Sequence, residues 1–254
     1  MKKLLKKALI GIMVLSLSAT ALAKEKIYVG TNAEFPPFEY LENGKITGFD
    51  IELMNEIGKV LNADIKIQDM AFDGLLPALQ LKKVDVVIAG MTATEERMKT
   101  VAFTQPYYTA SQVIIVKEGD NSIKLSQTYY ESNQMMLVHK KNPVVKSFDE
   151  LKGHDVGVVL GYTGDIAVSE IEGVKIERFN AAYAGIMALK ADKADAVVLD
   201  SEPAKNYVKQ NPGLKLAEAD AAKEEYAIAI RKNDKALLEK IEKALTEIKA
   251  NGTY

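Results

Sequence analysis

The sequence contains no cysteine, no tryptophan and only two histidines. Without cysteine the chain can form neither a disulfide framework nor a lipid-attachment site behind a signal peptide. The histidines, at positions 139 and 154, stand alone, and no spacing of potential ligands indicates a metal site. We therefore expect no metal and no cofactor. Aromatic contacts to a ligand must come from the 7 phenylalanines and 11 tyrosines.

An excess of positive charge is also absent. The chain has 33 Lys and Arg against 35 Asp and Glu, and four of the lysines lie within residues 1–23, so the remainder carries 29 basic and 35 acidic residues. An acidic surface does not attract polyanions. This balance argues against nucleic acid or an anionic lipid surface as the partner.

Residues 1–23 have the organisation of a cleavable secretion signal. Lysines at positions 2, 3, 6 and 7 precede an apolar stretch at 8–17, and Ala-Leu-Ala at 21–23 matches a cleavage pattern. The apolar stretch is too short to span a membrane as a helix. We expect cleavage after Ala23 and a protein that resides in the periplasm.

After this segment, the hydrophobic patterns of strands and helices alternate in two similar halves. The first half predicts strands at 27–30, 65–68 and 85–89 and helices at 50–61 and 72–81; the second predicts strands at 156–160, 174–179 and 195–199 and helices at 165–171 and 182–190. Such alternation indicates parallel sheets covered by helices, and a last helix is predicted at 234–250. Two sheets that present the carboxyl ends of their strands to one cleft predict an α/β clamshell.

The segment GMTATEER (90–97), directly after an apolar strand, is the most informative part of the chain. Thr94 can cap a helix that begins with two glutamates. The backbone N–H groups of residues 91–94 would then face a ligand, and the planar Arg97 guanidinium fits a carboxylate bidentately. The segment predicts a carboxylate receptor, although a plain strand, turn and helix with a surface arginine would have the same pattern.

Four motifs together resemble the polar amino-acid binding proteins, the periplasmic solute-binding family that serves ABC importers. They are GTNAEFPPFEY (30–40), GFDIEL (48–53), the 90–97 segment, and GYTG (161–164) with DAVVLD (195–200). The resemblance covers residues 27–254. It implies a two-lobe clamshell in which each lobe is a mostly parallel sheet flanked by helices, and in which two crossover strands join the lobes.

The resemblance also implies a ligand site between the lobes. Arg97 would pair with the α-carboxylate of a bound amino acid, and Asp200 on the opposite wall with its α-ammonium, because a buried zwitterion needs a partner for each charge. Phe35 and Phe72 would enclose the ligand's side chain. The other residues implied at the site are Asn32, Ala89, Gly90, Thr92, Leu160, Thr163 and Gly164.

Some of these residues also have structural explanations, which the sequence leaves open. Phe72 could be ordinary core, Phe35 a loop anchor, and Asp200 the cap of a helix at 201–209. We expect Asp50, in the motif GFDIEL, to be a helix cap that makes no ligand contact.

The expected function is capture of a free polar amino acid by lobe closure and its delivery to a membrane-embedded ABC permease, by a monomer without catalytic activity. The expected ligand is a basic amino acid first, and glutamine or another neutral polar amino acid second. The amide of Asn32 argues against a purely basic specificity, but Glu34 could supply a negative charge. The alternative is an enzyme on the same scaffold, similar to cyclohexadienyl dehydratases. For such chemistry Asp200 and Glu34 are the candidate acids and bases.

One segment of the chain is repeated. FTQPYYTASQVIIVK (103–117) recurs, shifted by 22 residues, as LSQTYYESNQMMLVH (125–139). The interval from Arg97 to Leu160 exceeds that of the family by about one copy, so residues 121–141 or thereabouts look like an inserted duplicate.

The repeat affects the predicted lobes. We expect lobe 1 to comprise residues 24–112 plus 221–254 and lobe 2 to comprise residues 113–220. The first copy would form the crossover strand, and the second would pair at the edge of the lobe 2 sheet or pack on its surface. Deletion of residues 125–146 should then leave a folded protein that binds its ligand, because long loop insertions change the closure entropy only slowly.

Overall fold

The computed structural model describes residues 24–109, 151–217 and 224–254 in full and residues 134–139 as backbone. The predicted signal peptide (1–23) and both predicted lobe boundaries, 112/113 and 220/221, lie outside the described residues.

Up to residue 109 the chain forms the strands β1 Glu25–Thr31, β2 Glu34–Phe35, β3 Glu39–Glu42, β4 Lys45–Thr47, β5 Ala63–Asp69, β6 Val86–Val87, β7 Val101–Phe103 and β8 Tyr108–Thr109, and the helices α1 Phe49–Val60, α2 Phe72–Gln80 and α3 Glu95–Met98. From residue 134 it forms the strands β9 Gln134–His139, β10 Asp155–Val159, β11 Lys175–Phe179, β12 Ala196–Asp200, β13 Leu214–Ala217, β14 Glu225–Tyr226 and β15 Ala229–Arg231, and the helices α4 Thr163–Ser169, α5 Ala182–Lys190, α6 Ser201–Gln210 and α7 Lys235–Ala250.

Two five-stranded sheets of the same design form the framework. Their strand orders are β5–β1–β6–β15–β7 and β11–β10–β12–β9–β13. In each sheet the first three strands in this order are parallel, and the fourth runs antiparallel to both of its neighbours. The predicted α/β fold with two mostly parallel sheets is confirmed.

Helices cover the sheets through apolar faces at helical spacing. In α1 the buried residues Ile51, Met54 and Ile57 recur every three residues, and in α7 Ile241 and Leu245 lie about one turn apart. Burying each such side chain contributes about 1.5–3 kcal/mol. The helices are therefore held by the same residues from which they were predicted.

Strand β9 shows which copy of the repeat lies in the second sheet. Its residues belong to the second copy, and it lies between β12 and β13, with Leu137 opposite Val197 on one side and Leu216 on the other. The expectation that this copy pairs at the sheet edge or packs on the sheet surface is therefore wrong. The strand part of the first copy, 112–117, which we expect to form the crossover strand, lies outside the described residues.

The position of β9 has a counterpart in the other sheet. β15 is the fourth, antiparallel strand of the first sheet, as β9 is of the second, and each is formed after the chain has moved from one sheet to the other. Both copies carry the same apolar pattern, so pairing with distant strands, and not local sequence, selects between them. Deletion of residues 125–146 would remove β9, and we no longer expect it to leave a folded protein.

Candidate functional site

A small cavity lies in the cleft between the two sheets. The loops that follow β1, β6, β10 and β12 form most of its wall, because the carboxyl ends of the parallel strands meet there. The lining residues are Phe35, Phe72, Ala89, Gly90, Thr92, Arg97, Tyr162, Thr163 and Asp200. The structure thus brings together eight residues predicted for the ligand site and adds Tyr162.

Arg97 lies on α3 and reaches across the cleft. As predicted, Thr94 caps this helix, accepting a hydrogen bond from the Arg97 N–H at 3.3 Å. In the side chain, Nη1 donates to the Thr92 carbonyl at 2.8 Å and Nη2 donates to the Gly161 carbonyl of the other lobe at 3.0 Å. The guanidinium also lies over Phe72, with Cζ 5.2 Å from the ring centroid.

The guanidinium of Arg97 keeps its charge and has hydrogen-bond donors to spare. Burial lowers the pKa of Arg97, whereas the carboxylates of Glu224 and Asp200 act in the opposite direction. Arginine remains protonated in proteins because its ordinary pKa is so high. The two backbone carbonyls take two of its five N–H donors, and a planar guanidinium can also bind a carboxylate bidentately.

Asp200 supplies a buried carboxylate from the other lobe. It lies at the end of β12 and is 3% exposed. Its Oδ2 accepts a hydrogen bond from the Tyr226 hydroxyl at 2.7 Å. Burial raises the pKa of Tyr226 well above its ordinary value, so this phenol stays protonated and donates. Asp200 occupies the N-cap position of α6, but its side chain makes no capping hydrogen bond, so the helix-cap explanation left open by the sequence is not observed.

Glu224 is a second buried carboxylate at the site, and the sequence did not predict it there. The Thr92 hydroxyl donates to its Oε2 at 2.9 Å, and Glu224 is 3% exposed. Together with Asp200 it raises the pKa of Arg97 against the effect of burial. The only signal in the sequence is an acidic pair at 224–225 beside a predicted lobe boundary, and such a pair is typical of solvated surfaces.

Three aromatic rings meet in the cleft. Tyr162, from the second lobe, lies against Phe35 and Phe72 of the first, with centroid distances of 5.5 Å and 4.4 Å and edge-to-face geometry. Its hydroxyl donates to Oδ1 of Asn32 at 2.9 Å. Tyr162 stands inside the motif GYTG (161–164), from which only Thr163 and Gly164 had been assigned to the site.

Three of the predicted site residues are near the cavity but do not line it. Asn32 is buried by its own contacts, since Nδ2 donates to the Met70 carbonyl at 3.1 Å and Oδ1 accepts from Tyr162. Leu160 donates its backbone N–H to the Phe179 carbonyl at 2.9 Å. Gly164 is buried in the first turn of α4. Asn32 thus joins the two lobes instead of facing the cavity.

The backbone after β6 differs from the expectation that residues 91–94 all point N–H groups at a ligand. Ala93 N–H donates to the Glu225 carbonyl at 3.4 Å, and Thr94 N–H donates to the Thr92 carbonyl at 3.0 Å. Thr92 forms an isolated antiparallel bridge with Tyr226. The returning chain segment therefore takes one of the expected donors, and the turn itself takes another.

The backbone of Gly90 is held by Asp50, which we expected to cap a helix. Asp50 does not cap α1: the N-cap position is Gly48, and no side chain makes a capping bond. Instead, Oδ2 of Asp50 accepts the Gly90 N–H at 2.9 Å and the Tyr107 hydroxyl at 2.7 Å. Gly90 has φ +49°, and a Cβ there would collide with the Phe35 ring, so only glycine fits this wall.

Glu34 faces the second lobe at the rim of the cleft and does not line the cavity. It accepts the backbone N–H of Tyr183 in the first turn of α5. The N-cap residue of that helix is an alanine, which has no side chain for capping. Burial raises the pKa of Glu34. Glu34 therefore stabilises contact between the lobes in this structure.

The described residues contain neither a candidate metal site nor a candidate membrane span. No cluster of three or more His, Asp or Glu side chains there could hold a metal ion. Nor does the part of the chain that is described contain a helix long and apolar enough to cross a membrane.

Comparison with known proteins gives consistent matches over nearly the whole chain. The sequence model of the bacterial extracellular solute-binding proteins, family 3, matches residues 27–254. The arginine-binding extracellular protein ArtP of Bacillus subtilis is 36% identical over 241 residues, which covers 92% of this chain and 85% of ArtP.

Two solved structures extend the comparison. The arginine-bound form of truncated ArgBP from T. maritima is 42% identical, with a TM-score of 0.76 over 88% of this chain and 96% of that one. An ancestral arginine-binding protein bound to glutamine is 43% identical, with a TM-score of 0.79 over 91% of this chain and 95% of that one.

Proposed function

Because the chain belongs to family 3 of the bacterial extracellular solute-binding proteins, we propose that it captures arginine or a related basic amino acid between its lobes and delivers it to an ABC permease. The observation that carries this proposal is the presence of Arg97 and Asp200 around one cavity. One is a cation and the other an anion, and they come from different lobes.

The two charges suit the two ends of a free amino acid. Moving an unpaired carboxylate or ammonium out of water costs several kcal/mol, so each needs an opposite charge and hydrogen bonds. Arg97 would bind the α-carboxylate through its remaining donors, and Asp200 would bind the α-ammonium. A ligand that touches both residues favours the arrangement that brings the lobes together.

The charges around the cavity favour a cationic ligand. Arg97 contributes one positive charge, and the carboxylates of Asp200 and Glu224 contribute two negative charges. A basic amino acid carries a net charge of about +1 at neutral pH, because two of its three ionised groups are cations. It therefore neutralises these three side chains, whereas an acidic amino acid would add further negative charge in a desolvated site.

Glutamine is the second candidate ligand. The ancestral arginine-binding protein, at 43% identity, has been solved with glutamine bound. The aromatic rings of Phe35, Phe72 and Tyr162 can pack against the methylene groups of either side chain.

Isothermal titration calorimetry of the purified protein with the twenty amino acids tests the proposal. Arginine should bind with a stoichiometry of one, more tightly than glutamine, and glutamate should not bind. Agmatine, which has the guanidinium of arginine but no carboxylate, is the matched control and should fail to bind. Failure of every amino acid, or tightest binding of an acidic one, would overturn the proposal.

We propose further that the cleft binds without catalysis. The relatives described above are binding proteins, and none of the nine residues lining the cavity is a histidine. In the proposed complex Asp200 is already committed to the ligand ammonium. Incubation with prephenate or arogenate should give no turnover; product formation that is lost in Asp200→Asn would favour the dehydratase alternative.

The expected location and assembly complete the proposal. Residues 1–23 would direct export to the periplasm and be removed, so N-terminal sequencing of the exported protein should begin at Lys24. The binding protein would act as a monomer, without nucleic acid, on its permease. Mass spectrometry under native conditions tests the monomer, and a dimer at micromolar concentration would contradict it.

A further inference from the structure

Two carboxyl groups are buried side by side behind the ligand cavity. Glu39 on β3 and Asp50 on α1 both have 0% of their surface exposed, and their side chains are within hydrogen-bonding reach of each other. Apart from the other member of the pair, no donor among the described residues reaches either carboxyl oxygen of Glu39 or Oδ1 of Asp50. Such a pair is unusual, because buried polar atoms nearly always have a partner.

The surroundings of the pair contain other acids and phenols. The groups that interact electrostatically with one or both carboxyls are Asp200, Tyr107, Tyr162 and Tyr254. No cation from the described part of the chain acts on either carboxyl. Two adjacent carboxyls without a cation cannot both be ionised in a dry interior, so the pair keeps a proton.

Hydrogen bonds indicate where this proton lies. Asp50 Oδ2 accepts from Gly90 N–H at 2.9 Å and from the Tyr107 hydroxyl at 2.7 Å, and both bonds favour the ionised form of Asp50. Burial raises the pKa of Asp50 to about 6 against their effect. Burial and the neighbouring Asp50 raise the pKa of Glu39 well above its ordinary value. Glu39 is therefore the protonated member and donates to Asp50.

We propose that Glu39 and Asp50 are positioning residues that share one proton and hold Gly90 in the cavity wall, so that ligand affinity depends on this proton. Asp50 bonds Gly90 directly, and Gly90 lines the cavity. Loss of the proton places a second negative charge beside Asp50. The repulsion shifts Asp50, and the Gly90 backbone moves with it. The inference rests on the proposed function only for its ligand, arginine.

The proton also makes the stability of the fold depend on pH. The pKa of Glu39 is higher in the folded protein than in the unfolded chain, where it is about 4.3. Its contribution to the free energy of unfolding is therefore complete below that value. The contribution is lost as the pH rises towards and through the pKa in the folded state.

The test is Glu39→Gln, in which an amide N–H replaces the shared proton and cannot be lost. Arginine affinity by calorimetry and melting temperature are measured from about pH 6 to pH 9 for the wild type, for Glu39→Gln, and for Glu42→Gln, an exposed residue on the same strand. The α-ammonium of arginine titrates equally in all three experiments, so the ratio of affinities is the readout. Relative to Glu39→Gln, the wild type and Glu42→Gln should lose affinity about tenfold for each unit of pH above the pKa of Glu39.

Each result decides a separate point. Parallel profiles for the wild type and Glu39→Gln would overturn the proposal. If arginine binds to no variant, the proposed function fails, but the melting temperatures still test the proton, since the wild type should lose stability with rising pH relative to Glu39→Gln. If Glu39→Gln does not fold, infrared spectroscopy of the wild type at neutral pH should show the carbonyl band of a protonated carboxylic acid, and its absence would overturn the proposal.

Discussion

Replacement of Arg97 by alanine perturbs the proposed ligand site most directly. The guanidinium is held by the carbonyls of Thr92 and Gly161 at 2.8 and 3.0 Å, and we propose that it also binds the α-carboxylate. Removing it leaves that carboxylate desolvated without a partner, at a cost of about 3–5 kcal/mol. Starting from about −8 kcal/mol for a micromolar ligand, we expect a loss of affinity of about 150- to 4,000-fold.

The assay is calorimetric titration with arginine, together with a thermal melt of each variant. Arg231→Ala is the matched control, because Arg231 pairs with Asp85 and Asp234 at 3.2 and 3.0 Å and does not line the cavity. It should lower the melting temperature and leave the affinity unchanged. Arg97→Ala should leave the melting temperature unchanged and lower the affinity. An arginine affinity equal to that of the wild type in folded Arg97→Ala would show that Arg97 does not bind the α-carboxylate.

Three further predictions concern the fold and the cleft. Deletion of residues 112–133, which joins Ser111 to Gln134 in the register of the repeat, should leave a folded protein that binds arginine. Deletion of residues 125–146 removes β9 and should abolish folding. Circular dichroism measures the folding of both variants and calorimetry their arginine binding; equal behaviour of the two deletions would contradict the prediction. Asp200→Asn keeps an acceptor for the Tyr226 hydroxyl but removes the charge, so it should weaken arginine binding about 100-fold or more. The control is Asp155→Asn, at an exposed residue. An affinity of Asp200→Asn equal to that of the wild type in calorimetry would exclude a contact between Asp200 and the ligand ammonium. Tyr162→Phe removes the donor to Asn32 and keeps the ring, so the arginine affinity should fall by about 2- to 12-fold, the effect of one hydrogen bond. The control is Tyr183→Phe, at a residue that is 57% exposed, and it should not change the affinity. Equal affinities of Tyr162→Phe and the wild type would show that the bond to Asn32 is absent when arginine is bound.

The sequence predicted the framework because strand and helix spacing is a local pattern, and the family resemblance named Arg97 and Asp200 for the ligand site that we propose. Apolar residues at strand and helix spacing located the elements, and α5 has the predicted bounds, 182–190. Arg97 and Asp200 follow strands that end at one edge of their sheets, where topology brings ligand-binding residues together. These patterns are readable without knowledge of long-range contacts.

The remaining features depend on contacts between distant segments. The two copies of the repeat have equivalent apolar patterns, so only pairing with β12 and β13 selects the second. Asp50 has the sequence context of a helix cap, but the fold turns it towards Gly90. Glu224 and Tyr162 likewise acquire their roles from Thr92 and Phe72, which lie far away in the chain. No local pattern reports such contacts.

A crystal structure of the protein with arginine bound would locate both ends of the ligand in the cleft. We expect the α-carboxylate within hydrogen-bond distance of the Arg97 guanidinium and the α-ammonium within hydrogen-bond distance of Asp200, with the side chain against Phe35 and Phe72. Arginine bound outside the cleft would contradict the proposed site. So would arginine bound in the cleft in the reverse orientation, with its guanidinium instead of its α-ammonium at Asp200 and without a contact to Arg97.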